Sequence, residues 1–232
     1  MASNHLVHSI VRALALTLGL GATLTLATPS AEACGGGFWP EEQIDHRIQG
    51  IAQAEKEVER GHLTQAAASV LRMMPYIQSA KPSKRDPILA RGLRIMAVAT
   101  ARSGGTLAFA KEVPSELHGS WTSTSSEARQ KNLAWSVSAL RAVSQEKGDD
   151  PAVKTELGEA LAQLDGGQAE ALLLLGGLSD KDLLASPEGY AALAELRGKA
   201  GDQSGRTAAL ERCKAMAQDA AICGREPGAS AS

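Results

Sequence analysis

The stretch DPAVKTELGEALAQLDGGQAEALLLLGGLSDKDLLASPEGYAALAELRGKAGD, residues 150–202, decides the fold. Asp150-Pro151 opens a helix: Asp caps the free N–H groups, and Pro occupies the first helical position, where a missing N–H costs nothing. Ser186-Pro187 opens another 36 residues later, and Leu157 and Leu193 are also 36 apart. Between the two openings, the turn Asp165-Gly166-Gly167 separates the first helix from a second run, Gln168 to Leu175. The second copy carries Tyr190, Leu193 and Ala194, then the turn Gly201-Asp202, then a last helix expected to reach about Ala221. A helix–turn–helix unit of this size cannot bury its apolar face alone and stacks on a neighbour.

Composition points the same way. Only seven residues of 232 are aromatic (three Trp, two Tyr, two Phe), while Ala and Leu abound. Strands favour aromatic and β-branched residues, and helices favour Ala and Leu. The expected fold class is therefore all-α, with antiparallel helix pairs stacked as a short solenoid; an irregular helical bundle is the runner-up.

The same grammar extends towards the N-terminus. A helix is expected from about Pro40 to Arg60, with Ile44, Ile48, Ile51 and Val58 on one face and Glu41, Glu42, Glu55, Lys56, Glu57 and Glu59 in solvent. Gly61 suits the turn, and Leu63, Ala67, Val70 and Met74 mark a second helix that Pro75 ends. Asp86-Pro87 starts a third, running through Ile88, Ile95, Met96 and Ala99 to about Ser103, where Gly104-Gly105 stops it. Thr106 to Val113 is expected as a short partner helix. Pro114 to Ser126 is irregular, and Thr124-x-x-Glu127 reads as a capping box for a long helix to about Lys147, with Leu133, Val137 and Leu140 inward.

These units resemble tetratricopeptide repeats. Tyr190-x-x-Leu193-Ala194, then Gly201-Asp202 and Ala208-Ala209-Leu210, is similar to one repeat; Leu157-Gly158-x-x-Leu161, then Gly166 and Ala171, is similar to the one before. The likeness covers about Pro151 to Ala217 and, more faintly, Gln43 to Met74, through Gly61, His62 and Ala66. Lys154 stands where the first repeat would carry an aromatic, and Arg206 where the second would carry Ala. The resemblance implies a scaffold whose concave face binds a peptide or protein. The clearest repeats span 151–221 of a helical domain at 41–223.

Residues 1–33 form a leader. Met1 to Arg12 is weakly basic, Ala13 to Ala27 is apolar, and Ala31-Glu32-Ala33 places small residues at −3 and −1 before Cys34. This is the layout of a signal peptide. The apolar run of about 15 residues falls short of the about 20 that span a bilayer. Export follows, to a periplasmic or extracellular setting. Cys34 is also a candidate lipidation site, but a bacterial lipobox carries Leu at −3, and Ala31 and Glu32 depart from that pattern. Soluble export is the first reading and a lipid-anchored envelope protein the alternative.

Removing 33 of 232 residues leaves 199, one domain's worth. Residues 34–40 are Gly-rich and read as a flexible tether, and 224–232 as a disordered tail. Charges of both signs are interspersed around a net −2, with no basic stripe for nucleic acid. Of Cys34, Cys213 and Cys223, at most two can pair internally. On one continuous helix Cys213 and Cys223 would lie about 15 Å apart. They bond only if the helix ends and the chain doubles back; otherwise they are two small hydrophobes.

No residue pattern amounts to an active site. His46, His62 and His118 are never four apart, and HExxH and CxxC are absent, so no metal or other cofactor is expected. The run Thr122 to Ser126 lacks G-x-S-x-G and suits capping; an enzyme built from distant residues would rest on a serine with His118. Gly35-Gly36-Gly37 is not followed by Lys-Ser/Thr and is no phosphate loop. Trp121 either anchors a partner or plugs the break in the helical stack, and Trp135 is expected in the core. Phe38-Trp39 are candidates to contact a partner, dock on the first helix pair or meet a membrane surface. The expected function is a non-enzymatic, exported protein-binding module, with an unidentified protein or peptide as partner, no nucleic acid, and a membrane only through an anchor at Cys34.

Overall fold

The computed structural model describes residues 46–109 and 113–224; the leader, Cys34, Phe38 and Trp39 lie outside the described residues. Among the described residues there are eight α-helices and no strand. They are α1 (His46–Glu59), α2 (Leu63–Met73), α3 (Pro87–Arg102), α4 (Ser126–Lys147), α5 (Pro151–Gln163), α6 (Gln168–Ser179), α7 (Pro187–Lys199) and α8 (Gln203–Met216). Short 3-10 turns lie at Ile77–Ser79, Ser115–Leu117 and Ala220–Gly224.

Three of the four odd-numbered helices start with the same device. Asp86 accepts the N–H of Leu89 at 3.0 Å, Asp150 that of Ala152 at 2.9 Å, and Ser186 that of Gly189 at 3.0 Å, each just before a Pro at the first turn. Such a cap stabilises a helix by about 1 kcal/mol. Inside the pairs α1–α2, α5–α6 and α7–α8, the turn places Gly61, Gly166 and Gly201 at φ of +77°, +78° and +83°. Side chains with a Cβ resist that conformation, so these glycines set where each pair folds back.

Every helix packs on its successor, and α1, α3, α5 and α7 also pack on one another in series. The odd-numbered helices thus form one row, with the even-numbered ones laid against it. Helix α3 is enclosed by α1, α2, α4 and α5. Its buried residues accordingly run nearly all round, from Leu93, Ile95 and Met96 to Val98 and Ala101. Each large side chain buried there contributes about 1.5–3 kcal/mol. Small residues allow close approach: a Cβ on Gly158 of α5 would stand 2.5 Å from Leu175 Cδ2 of α6.

Several boundaries differ from the sequence expectation. The first helix is described from His46, and its Ile48 is 49% exposed while Ile51 is fully buried. Glu55 is not simply solvated: Arg91 of α3 donates to it through Nε at 2.8 Å and through Nη2 at 2.5 Å. Residues 106–109 are not helical. They run against the loop before α4 instead, with Leu107 N–H donating to the Trp121 carbonyl at 2.8 Å and Thr106 Oγ1 to the Ser123 carbonyl at 3.0 Å. Ser125, not Thr124, caps α4, accepting the Ala128 N–H at 3.2 Å. Helix α6 continues to Ser179, past Leu175.

Helix α8 stops at Met216 rather than Ala221. Ala217 is extended, and the 3-10 turn Ala220–Gly224, which includes the first residue of the expected tail, leads the chain back. That reversal is what Cys213 and Cys223 need. They form a disulfide with Cα atoms 5.8 Å apart, although ten residues separate them.

Candidate functional site

The odd-numbered row faces a groove of about 710 Å³. The end of α1 and its turn contribute Val58, Glu59, Arg60 and Gly61; α3 contributes Arg94, Ala101 and Arg102; α5 contributes Ala152, Thr155, Glu156, Glu159 and Gln163. The start of α7 supplies Pro187, Glu188, Ala191 and Ala192, and Met216, Gln218, Asp219 and Ile222 close one side. The disulfide bears on this last wall, because Cys223 follows Ile222 directly and ties it to α8.

Ion pairs bridge successive odd-numbered helices across the groove floor. Arg94 donates to Glu156 through Nε at 2.6 Å and Nη2 at 2.8 Å. Arg102 reaches Glu159 through Nε at 2.8 Å and Nη2 at 3.2 Å, and Glu188 through Nη1 at 3.2 Å. Ser186 Oγ donates to Glu159 as well, so this carboxylate links the α7 cap to α3. Bidentate guanidinium–carboxylate pairs fix direction as well as distance.

Burial sets the electrostatics. Desolvation pushes the Glu156 carboxyl above the ordinary range, against the bonds from Arg94. The Glu156 bond holds the Arg94 guanidinium above its usual value. Desolvation opposes the charge on Arg102, but Glu159 and Glu188 outweigh it and raise that pKa. On the neighbouring pair, the Arg91 bond lowers Glu55. The floor is thus a network of charges already committed to one another.

The structure separates the other candidates. Trp121 is only 2% exposed and stacks edge-on to Trp135, with ring centroids 4.9 Å apart. It plugs the α3–α4 break and offers no exposed anchor to a partner. Buried Asn132 fastens the same loop, donating from Nδ2 to the carbonyls of Gly105 and Ser120 at 2.8 and 2.9 Å. Trp135 is half-buried, and its indole N–H reaches the Gln78 carbonyl at 2.8 Å. His118 lies against Phe109 and bonds the Val113 carbonyl at 2.9 Å. His62 bonds Glu57 at 2.7 Å on the surface, and His46 is exposed. The three histidines are on different elements. Among the described residues, no group of three or more His, Cys, Asp and Glu is placed to hold a metal ion. None of their helices is long and apolar enough to cross a membrane.

Sequence reasoning missed the ion-pair ladder. Its signal is visible in retrospect: Arg91, Arg94 and Arg102 interrupt a helix that is otherwise almost wholly apolar, and Glu156 and Glu159 share a face of α5 three residues apart.

No family model, no curated protein and no solved structure matches this chain.

Proposed function

We propose that this chain is an exported, non-enzymatic binding module whose tetratricopeptide-like helix pairs hold a polypeptide segment in the groove along α1, α3, α5 and α7. The observation that carries the reading is the groove itself: the row α1, α3, α5 and α7 lines most of it, and its volume is within the roughly 300–1,000 Å³ of ligand clefts. Its Arg and Glu side chains act as a rigid floor rather than as reacting groups. Ala152, Ala191 and Ala192 leave room for a backbone to lie close. The leader at residues 1–33 supplies the export half of the proposal.

Panning a random peptide display library over the full chain tests this. Retained peptides should lose binding to the Ala192→Trp variant, which fills the groove, while circular dichroism stays unchanged. Retained peptides indifferent to Ala192→Trp would place binding elsewhere.

The disulfide favours a second reading of the cellular setting. With Cys213 and Cys223 bonded to each other, Cys34 is the one cysteine left of three. An envelope lipoprotein anchored through Cys34 uses that residue. The intact mass of the processed chain decides between the two settings: a diacylglycerol adduct supports the anchor, and an unmodified Cys34 rules it out.

A further inference from the structure

The groove carries more negative than positive charge, and the excess is unevenly placed. Five carboxylates line it, from Glu59, Glu156, Glu159, Glu188 and Asp219. Three guanidiniums face them, from Arg60, Arg94 and Arg102. This excess of two matches the net charge of the entire chain, −2, within one cleft.

The pairing concentrates the excess at the rim. Arg94 is bound at both ends of its fork by Glu156. Arg102 serves two carboxylates at once, Glu159 and Glu188, of which Glu188 is the more exposed at 27%. Arg60 turns to Glu57 at 3.1 Å, outside the groove lining. Glu59 and Asp219 are exposed and make no ion pair among the described residues. The floor is neutralised, whereas of the three rim carboxylates only Glu188 meets a cation, Arg102, which it shares with Glu159. The lining also carries five alanines, with Val58, Leu63 and Ile222 among its larger apolar side chains.

We propose that the groove selects an extended cationic peptide segment, with lysine or arginine side chains against Glu59, Glu188 and Asp219 and small or apolar residues between them. This assignment rests on the reading of the groove as a peptide site. Rim charges of one sign favour the complementary ligand by steering its approach and penalising like charge. A ligand held by carboxylates also leaves the Arg94–Glu156 and Arg102–Glu159 bonds in place, so binding needs no rearrangement of the floor.

The test uses peptides retained by the full chain from a random display library, followed by fluorescence anisotropy with the purified winners. The retained pool should hold lysine and arginine at more than twice their input frequency. Replacing those residues by glutamine should weaken binding at least tenfold. Glu188→Gln and Glu59→Gln should each weaken it about three- to fivefold, as for exposed ion pairs, and binding should weaken with rising salt. Peptides that depend on the groove, by their loss in Ala192→Trp, yet are neutral or acidic and indifferent to Glu188→Gln would overturn the cationic assignment and leave the peptide-binding reading standing. An empty selection, or peptides indifferent to Ala192→Trp, would overturn both.

Discussion

Replacing Arg94 by Met strips a cation from a carboxylate that the fold has taken out of water. The Glu156 side chain is 13% exposed and takes both of its strong bonds from Arg94, at 2.6 and 2.8 Å. Breaking one partner from a fully buried pair costs about 3–5 kcal/mol, because the other charge is stranded. Arg94 itself is 33% exposed, so water reaches the pair and reduces the figure. We expect Arg94→Met to cost about 2–3 kcal/mol at pH 7.5.

The pH dependence follows from the direction of the Glu156 shift. Burial raises its pKa even with Arg94 present, and losing the guanidinium raises it further. Between the unfolded glutamate range and that raised value, the folded chain holds more protons than the unfolded one. Stability therefore falls as pH rises through this window. The deficit of Arg94→Met should be largest at pH 7.5 and smaller near pH 5, as measured by urea denaturation at both. The double variant Arg94→Met/Glu156→Gln, which strands no charge, should recover more than half of the loss. A deficit below about 0.5 kcal/mol, the level of ordinary surface changes, or one that is equal at the two pH values, would refute the reasoning.

Trp121→Ala should cost about 3–5 kcal/mol, by emptying a buried site whose neighbours are held by their own bonds; a loss under about 1 kcal/mol by the same melts would show that the plug is dispensable. Gly158→Leu forces a side chain into the space of Leu175 between α5 and α6 and should cost about 1–3 kcal/mol; an unchanged urea midpoint would show that the helices separate freely. Cys213→Ser/Cys223→Ser removes a cross-link closing a short loop, worth about 2–3 kcal/mol, and should lower Tm by about 5–10 °C. It should also speed hydrogen exchange at 217–224 before the rest of the chain, and a unchanged exchange there would mean that packing alone holds the groove wall.

How much of this was readable in the residues depends on how local the signal was. Asp86-Pro87, Asp150-Pro151 and Ser186-Pro187 each act within one turn, and each starts a helix at the expected residue. Gly61, Gly166 and Gly201 likewise act alone, and the hairpins close at them. The all-α class needed only composition and period. By contrast, Thr106 to Phe109 has a locally helical look, but the Leu107 N–H bond to the Trp121 carbonyl and the Thr106 hydroxyl bond to the Ser123 carbonyl hold it against the loop before α4. Which of Thr124 and Ser125 caps α4 turns on a one-residue shift that the Ser/Thr run does not mark. Helix α8 ends at Met216 rather than at the expected Ala221, because no local signal in the sequence marks the reversal that lets Cys213 meet Cys223. The ladder from Arg94 and Arg102 to Glu156, Glu159 and Glu188 is hidden in the sequence because its bonded partners are 57 to 86 residues apart in a chain whose charges look evenly scattered, and only the stacking of α3, α5 and α7 brings them together.

The central claim is that the odd-numbered row is the face that binds. Hydrogen–deuterium exchange of the full chain, free and saturated with the tightest display-selected peptide, tests it directly. The account predicts slower exchange in α3, α5 and the start of α7, centred on residues 94–102, 152–163 and 187–192, with α4 and α6 unchanged. Protection confined to α4 and α6, or a peptide that leaves the odd-numbered helices untouched, would contradict it.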